Sequence, residues 1–132
     1  MKLKRNLGIW LDHSNAHLME INTKKDKRTI KSNFSSEIKE EALNRSEDIM
    51  HNKEQQMHEA YYKHIGKAIL NYDHVLLFGP TKAKVELHNY LRKDCHYEDI
   101  IIDTIPADNM TLNELHAFVD NHFFYYKYQR QS

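Results

Sequence analysis

Apolar and polar residues alternate from the start of the chain. Leu7, Ile9 and Leu11 interleave with Gly8, Trp10 and Asp12, the period of two that a β-strand imposes on its side chains. His13-Ser14-Asn15 supplies turn residues and Ala16 to Asn22 alternates again, so the first two strands form a hairpin. After the short charged turn Thr23 to Lys27, the pattern Arg28, Ile30, Ser32, Phe34 reads as a third strand, placed near a sheet edge because every other side chain is polar.

The pattern then lapses. From about 35 to 56 the chain is nearly all polar, with Ile38, Leu43, Ile49 and Met50 as its larger apolar residues. This is read as a long excursion with helical turns, too poor in apolar side chains for the core. From about Lys53 a helical period sets in, carried by Met57, Tyr61, Ile65, Ala68, Ile69 and Tyr72. It delivers the chain to Val75-Leu76-Leu77-Phe78, a strand buried on both faces that stops at Gly79-Pro80.

A second helix follows at once, with Thr81 as the expected cap and Ala83, Leu87, Tyr90 and Leu91 as its stripe. Ile100-Ile101-Ile102 opens a fifth strand that Pro106 ends. For the last helix, Thr111 and Glu114 form a capping box, Met110 and Leu115 stand at staple positions, and Leu112, Leu115, Val119 and Phe123 mark the buried face.

The order β-β-β-α-β-α-β-α is satisfied by a three-layer α/β/α domain. Its sheet is mixed and five-stranded: the hairpin strands are antiparallel, and strands one, four and five run parallel through right-handed crossovers. This is the ribonuclease H-like arrangement. A Rossmann or flavodoxin-like reading fits less well, because the first crossover helix arrives after three strands and no G-x-G-x-x-G follows the first. At 132 residues one domain, 1–132, is expected, with about two-thirds of its unfolded surface buried.

Charge narrows the function classes. Lys plus Arg and Asp plus Glu both number 19, for a net charge of 0, so a polyanion can be met only by a local patch. Lys24, Lys25, Lys27, Arg28 and Lys31 crowd one turn, and Lys82, Lys84, Arg92 and Lys93 share the second helix, though Asp26, Glu86 and Asp94 are interspersed. A single cysteine, Cys95, forbids an intrachain disulfide and fits a reducing cytoplasm. The basic start MKLKRNLGIWLDHS meets Asp12 and His13 too early for a signal peptide or a membrane span, so a soluble, cytoplasmic protein is expected.

The run Phe78 to Leu91, FGPTKAKVELHNYL, resembles the strand-GP-TK-helix segment of the middle domain of archaeal and eukaryotic class I release factors and related bacterial release-factor-like proteins. The order of elements agrees over most of the chain. The resemblance implies the ribonuclease H-like fold of translational machinery components and an association with ribosome or tRNA. In that family a GGQ loop before the first long helix promotes hydrolysis of peptidyl-tRNA. Here the three glycines, Gly8, Gly66 and Gly79, are nowhere adjacent, and the equivalent place reads His51-Asn52-Lys53-Glu54-Gln55-Gln56. Paired glycines reach backbone conformations closed to residues with a Cβ. What carries over is therefore the fold and the association, giving a non-catalytic translation- or stress-associated module without a cofactor.

The candidate anion- or RNA-binding residues are Gly79, Thr81, Lys82 and Lys84, where a helix N-terminus meets the carboxyl end of a parallel strand, together with Lys24, Lys25, Lys27 and Arg28. Reversing Lys82 and Lys84 to Glu is expected to weaken binding at little cost in stability if both are exposed. Two rivals stand beside this reading. GIWLDHSNAHLMEI resembles the opening hairpin of ribonuclease H-like hydrolases, where a carboxylate on strand one, here Asp12, helps hold a divalent cation. Such a site needs several converging acids, and nothing in the sequence directs Asp73 or Asp103 toward Asp12, which serves equally as a turn residue. The other rival is a small homo-oligomeric interaction protein, associating through the aromatic segment Phe123 to Tyr128. Neither His13 with His17, nor His88 with Cys95 and His96, nor His51, His58 and His64 supplies a zinc-like ligand set by spacing.

Overall fold

A computed structural model describes residues 5–20, 28–31 and 47–131, and side chains within 5–20, 28–31 and 56–124. The strands are β1 (Asn6–Leu11), β2 (Asn15–Glu20), β3 (Arg28–Lys31), β4 (His74–Gly79) and β5 (Ile101–Pro106). The helices are α1 (Glu47–Ile69), α2 (Ala83–Arg92) and α3 (Leu112–Gln131), with a 3₁₀ turn at Cys95–Tyr97. The five strands lie in the order β3-β2-β1-β4-β5. β1 pairs antiparallel with β2 and β2 with β3, while β1 with β4 and β4 with β5 are parallel. The mixed sheet is the expected one, and β3 stands at its edge.

Alternation sorts the side chains between two cores. Leu7, Ile9, Leu11, Leu18, Val75 and Leu77 pack with Tyr61, Ile65 and Ile69 of α1 and Leu87 and Leu91 of α2. Trp10, Met19, Leu76 and Phe78 point to the other face and meet Leu115, Val119 and Phe123 of α3. Every residue of β4 is buried, as a strand covered on both faces requires. A Cβ on Gly8 would stand 2.3 Å from Val119 Cγ2, so this glycine lets α3 come down onto β1.

Two helix starts and one buried position differ from expectation. Helix α1 begins at Glu47, before the strong apolar period, because Glu, Lys, Gln and Met propagate a helix without a buried face. Residues 47–56 of the polar excursion are therefore helical, and 32–46 lie outside the described residues. Helix α2 begins at Ala83 with Lys82 at the N-cap. Thr81 still serves it, one position early, by accepting the Ala83 N–H on Oγ1 at 3.2 Å. On α3, Leu112 is exposed and Met110 packs against the core in its stead. The capping box forms reciprocally: Glu114 N–H donates to Thr111 Oγ1 at 3.3 Å and Thr111 N–H to Glu114 Oε1 at 3.1 Å.

Candidate functional site

Strands β1 and β4 run side by side to their carboxyl ends, with Trp10 opposite Phe78, and the chain leaves both in tight turns. Open α/β sheets take ligands at this end. Gly79 has φ +154°, and a Cβ there would stand 2.1 Å from the Leu11 carbonyl oxygen, so only glycine lets the end of β4 press against the end of β1. Its own carbonyl accepts the Ala107 N–H at 3.0 Å, tying in the end of β5.

The groups marked out by sequence here are largely engaged by their own turns. Asp12 Oδ1 accepts the N–H groups of Ser14 and Asn15 at 2.8 and 2.7 Å, while Asp12 N–H donates to Asn15 O at 3.0 Å, closing the hairpin. Lys84 is 8% exposed and folds its Nζ back to donate to the Thr81 carbonyl at 2.6 Å. The expectation that Lys84 can be reversed cheaply therefore fails: its stem is packed and its ammonium braces the turn. Lys82 is exposed, and its carbonyl accepts the Val85 and Glu86 N–H groups at 3.0 Å.

Across this end runs a row of rings from three separate segments. The imidazoles of His13 and His58 stack with centroids 5.4 Å apart, His58 lies 6.1 Å from Tyr62, and Tyr62 lies 6.2 Å from Tyr90. Glu86, in the first turn of α2, joins them on one oxygen: Tyr62 OH donates to its Oε1 at 2.7 Å and His13 Nε2 lies 3.1 Å from the same atom. Tyr61 donates its hydroxyl to the Asp12 carbonyl at 3.0 Å.

Burial, then the Asp12 charge, pushes the Tyr61 hydroxyl up. Burial, then Glu86, does the same to Tyr62. Burial pulls the Glu86 carboxyl up, but the Tyr62 hydrogen bond and the His13 imidazole outweigh it and leave the group below its ordinary range. Both tyrosines thus stay protonated and Glu86 ionised near neutrality. Tyr62 is buried in the core, so of this row only the partly exposed His13, His58 and Tyr90 reach the surface, on which Lys82 is also exposed.

The other expected residues fall elsewhere. Arg28 opens β3, where it pairs with Leu18, and its Nη2 donates to Tyr72 OH at 3.4 Å. Tyr72 in turn donates to Glu20, and Glu20 faces Leu7 near the amino end of β1. Arg28 and Lys82 therefore do not share one patch. Lys24, Lys25 and Lys27 lie outside the described residues. Asp94, Cys95 and His96 are exposed and gather ligand atoms within 4.8 Å; Asp94 Oδ1 accepts the His96 N–H at 2.9 Å and lies 2.6 Å from its Nδ1. The sequence marked His58 only as one of a zinc-spacing set and Glu86 only as an interspersed acid, and did not mark Tyr62, because their partners are distant along the chain: His13 and Glu86 are 73 residues apart.

No protein-family model matches the sequence, and no curated protein does. Among solved structures, Pelota from Archaeoglobus fulgidus is similar in fold, with a TM-score of 0.57 and 6% identity over 91% of this chain and 32% of that one. The chain thus spans about a third of the Pelota chain's length. The PPX-GPPA enzyme of Aquifex aeolicus aligns with a TM-score of 0.32 at 14% identity, over 78% of this chain and 36% of that one, too low to bear on the fold.

Proposed function

We propose that this chain is a non-catalytic, cytoplasmic module of the translation apparatus that binds ribosome or tRNA, with residues 1–132 as one domain. The observation that carries this reading is the fold match to Pelota across 91% of the chain, Pelota being a release-factor-like translation protein. Supporting it, His51 to Gln56 stands within the regular helix α1 and holds no glycine, so it cannot present backbone groups as a paired-glycine loop does. Lys82, with the partly exposed His13, His58 and Tyr90, forms the contact surface, with Arg28 and the lysines before it as a second contact. Lys84 supports the turn and does not touch RNA. Among the described residues no helix is long and apolar enough to cross a membrane, which agrees with such a partner.

Sedimentation of the purified chain beside ribosomes through sucrose tests the reading. Comigration at low salt that is lost at high salt is expected, since phosphate contacts release counterions. Neither peptidyl-tRNA hydrolysis nor RNA cleavage should accompany it. Absence of comigration at low salt contradicts the proposal. Cleavage dependent on Mg²⁺ or Mn²⁺ and abolished by Asp12→Asn replaces it with the hydrolase reading; a stable dimer that binds no RNA replaces it with the oligomeric one.

A further inference from the structure

Away from the ring row, toward the amino ends of β4 and β5 and on the α3 face, three side chains converge that are neighbours in no sequence motif. His74 opens β4, Asp103 is the third residue of β5, and His122 lies in α3. The Nε2 atoms of His74 and His122 both address the same Asp103 oxygen, Oδ2, at 2.6 and 3.1 Å. One ligand atom from each of the three lies within 4.8 Å of the others. His74 is fixed: its side chain is 4% exposed, and Phe123 stands edge-on to its ring at 4.9 Å and 90°. Asp103 and His122 are 31% and 19% exposed, so the site opens to water on one side. Two imidazoles and a carboxylate are thus gathered from two strands and a helix, against a layer of Leu76, Phe78, Leu115, Val119 and Phe123.

We infer that His74, Asp103 and His122 form a binding site for a divalent transition-metal cation of the zinc class. Imidazole nitrogen with carboxylate oxygen is the donor set such ions take, and three protein ligands leave a fourth position for water or a ligand. With bonds of about 2.1 Å, tetrahedral ligand atoms stand about 3.4 Å apart. The Asp103–His122 spacing of 3.1 Å is already close to this, and the shorter His74 contact widens by rotation of the Asp103 carboxylate on the edge strand β5. Because the ligands come from β4, β5 and α3, the ion ties the last helix to the sheet, and binding must appear as stability. This inference is independent of the RNA-binding reading.

The test uses the full chain, stripped with a chelator, in a Cys95→Ser, His96→Ala background that removes the exposed Asp94–Cys95–His96 group. Zn²⁺ is titrated by calorimetry and by thermal melting, and Co²⁺ is followed by its visible absorption. The expected result is one equivalent bound, a higher Tm with Zn²⁺, and a Co²⁺ spectrum of low coordination number. His122→Ala and Asp103→Asn should each weaken affinity by at least about a hundredfold, the upper end of what losing a mere supporting partner of a ligand costs, and remove the gain in Tm. Melting of each metal-free variant shows whether it is folded; should His122→Ala be unfolded, His122→Gln takes its place. Absence of a Zn²⁺-dependent rise in Tm, or binding that survives in folded His122 and Asp103 variants, overturns the site.

Discussion

The two ends of the central strands are polar in different ways. At the carboxyl end, Asp12 serves the hairpin it belongs to, Thr81 the helix that follows it, and Lys84 the turn just before it. At the amino end the partners come from far apart. Arg5 Nη2 donates to Glu20 at 3.2 Å and its guanidinium sits 4.8 Å from the Tyr72 ring centroid. Tyr72 donates to Glu20, the Asp73 carboxylate accepts the Arg5 N–H at 2.9 Å, and His74 and His122 share Asp103. The carboxyl end also joins distant segments, through His13 and Tyr62 on Glu86, but it leaves the Lys82 side chain exposed. The amino end spends its charges on joining distant segments. Proximity in a fold, not residue type, decides which polar groups remain available.

The largest test of this contrast is at Gly79. Gly79→Ala combines a backbone conformation that L-residues rarely adopt with a Cβ 2.1 Å from the Leu11 carbonyl, and should destabilise by roughly 2 to 6 kcal/mol from strain and overpacking together. A loss under about 1 kcal/mol by urea denaturation would mean that the two strand ends are not pressed together. At the amino end, Glu20→Ala strips the acceptor from the buried Tyr72 hydroxyl and from Arg5, and about 1 to 3 kcal/mol should be lost. Here Glu20→Gln, which keeps an acceptor, should recover most of it; equal losses would make the pairing incidental.

Much of the fold was legible because it rests on short-range pattern. The period of two in Leu7, Ile9 and Leu11, the apolar run Val75 to Phe78 and the capping box at Thr111 each declare themselves within a few residues, and each stands where expected. The start of α1 at Glu47 was missed because a polar helix has no apolar stripe to betray it. The condition for reversing Lys84 cheaply, that it be exposed, is not met, because a lysine on the flank of a buried face can turn its ammonium back to a carbonyl, which its letter does not reveal. The joining of the ring row and of the His74–Asp103–His122 group was hidden for a stronger reason: the crossover topology brings their members together, through hydrogen bonds that span 19 to 73 residues.

Smaller effects refine the contrast. Thr111→Ala should lose about 1 kcal/mol with the capping hydroxyl, and an unchanged denaturation midpoint would show that the bond to Glu114 N–H contributes nothing. Tyr62→Phe removes the hydroxyl that donates to Glu86; with the Glu86 side chain 44% exposed, the loss should stay under about 1 kcal/mol. Its pH dependence has a definite sign. Glu86 titrates lower folded than unfolded, so its contribution is present above the unfolded value of about 4.3 and lost as pH falls through the folded one. The gap between wild type and variant should be constant near neutrality and close as pH falls through the lowered folded value; a gap that widens on acidification would contradict the pairing.

If the carboxyl end meets nucleic acid through Lys82, the salt dependence of ribosome or tRNA binding in Lys82→Glu must show it. Because Lys82 is exposed and makes no side-chain cap bond, the variant should melt with the wild type. It should bind more weakly at low salt, with the slope of log K against log salt reduced by about 1. A slope and affinity equal to those of the wild type would place the nucleic acid elsewhere and contradict the account.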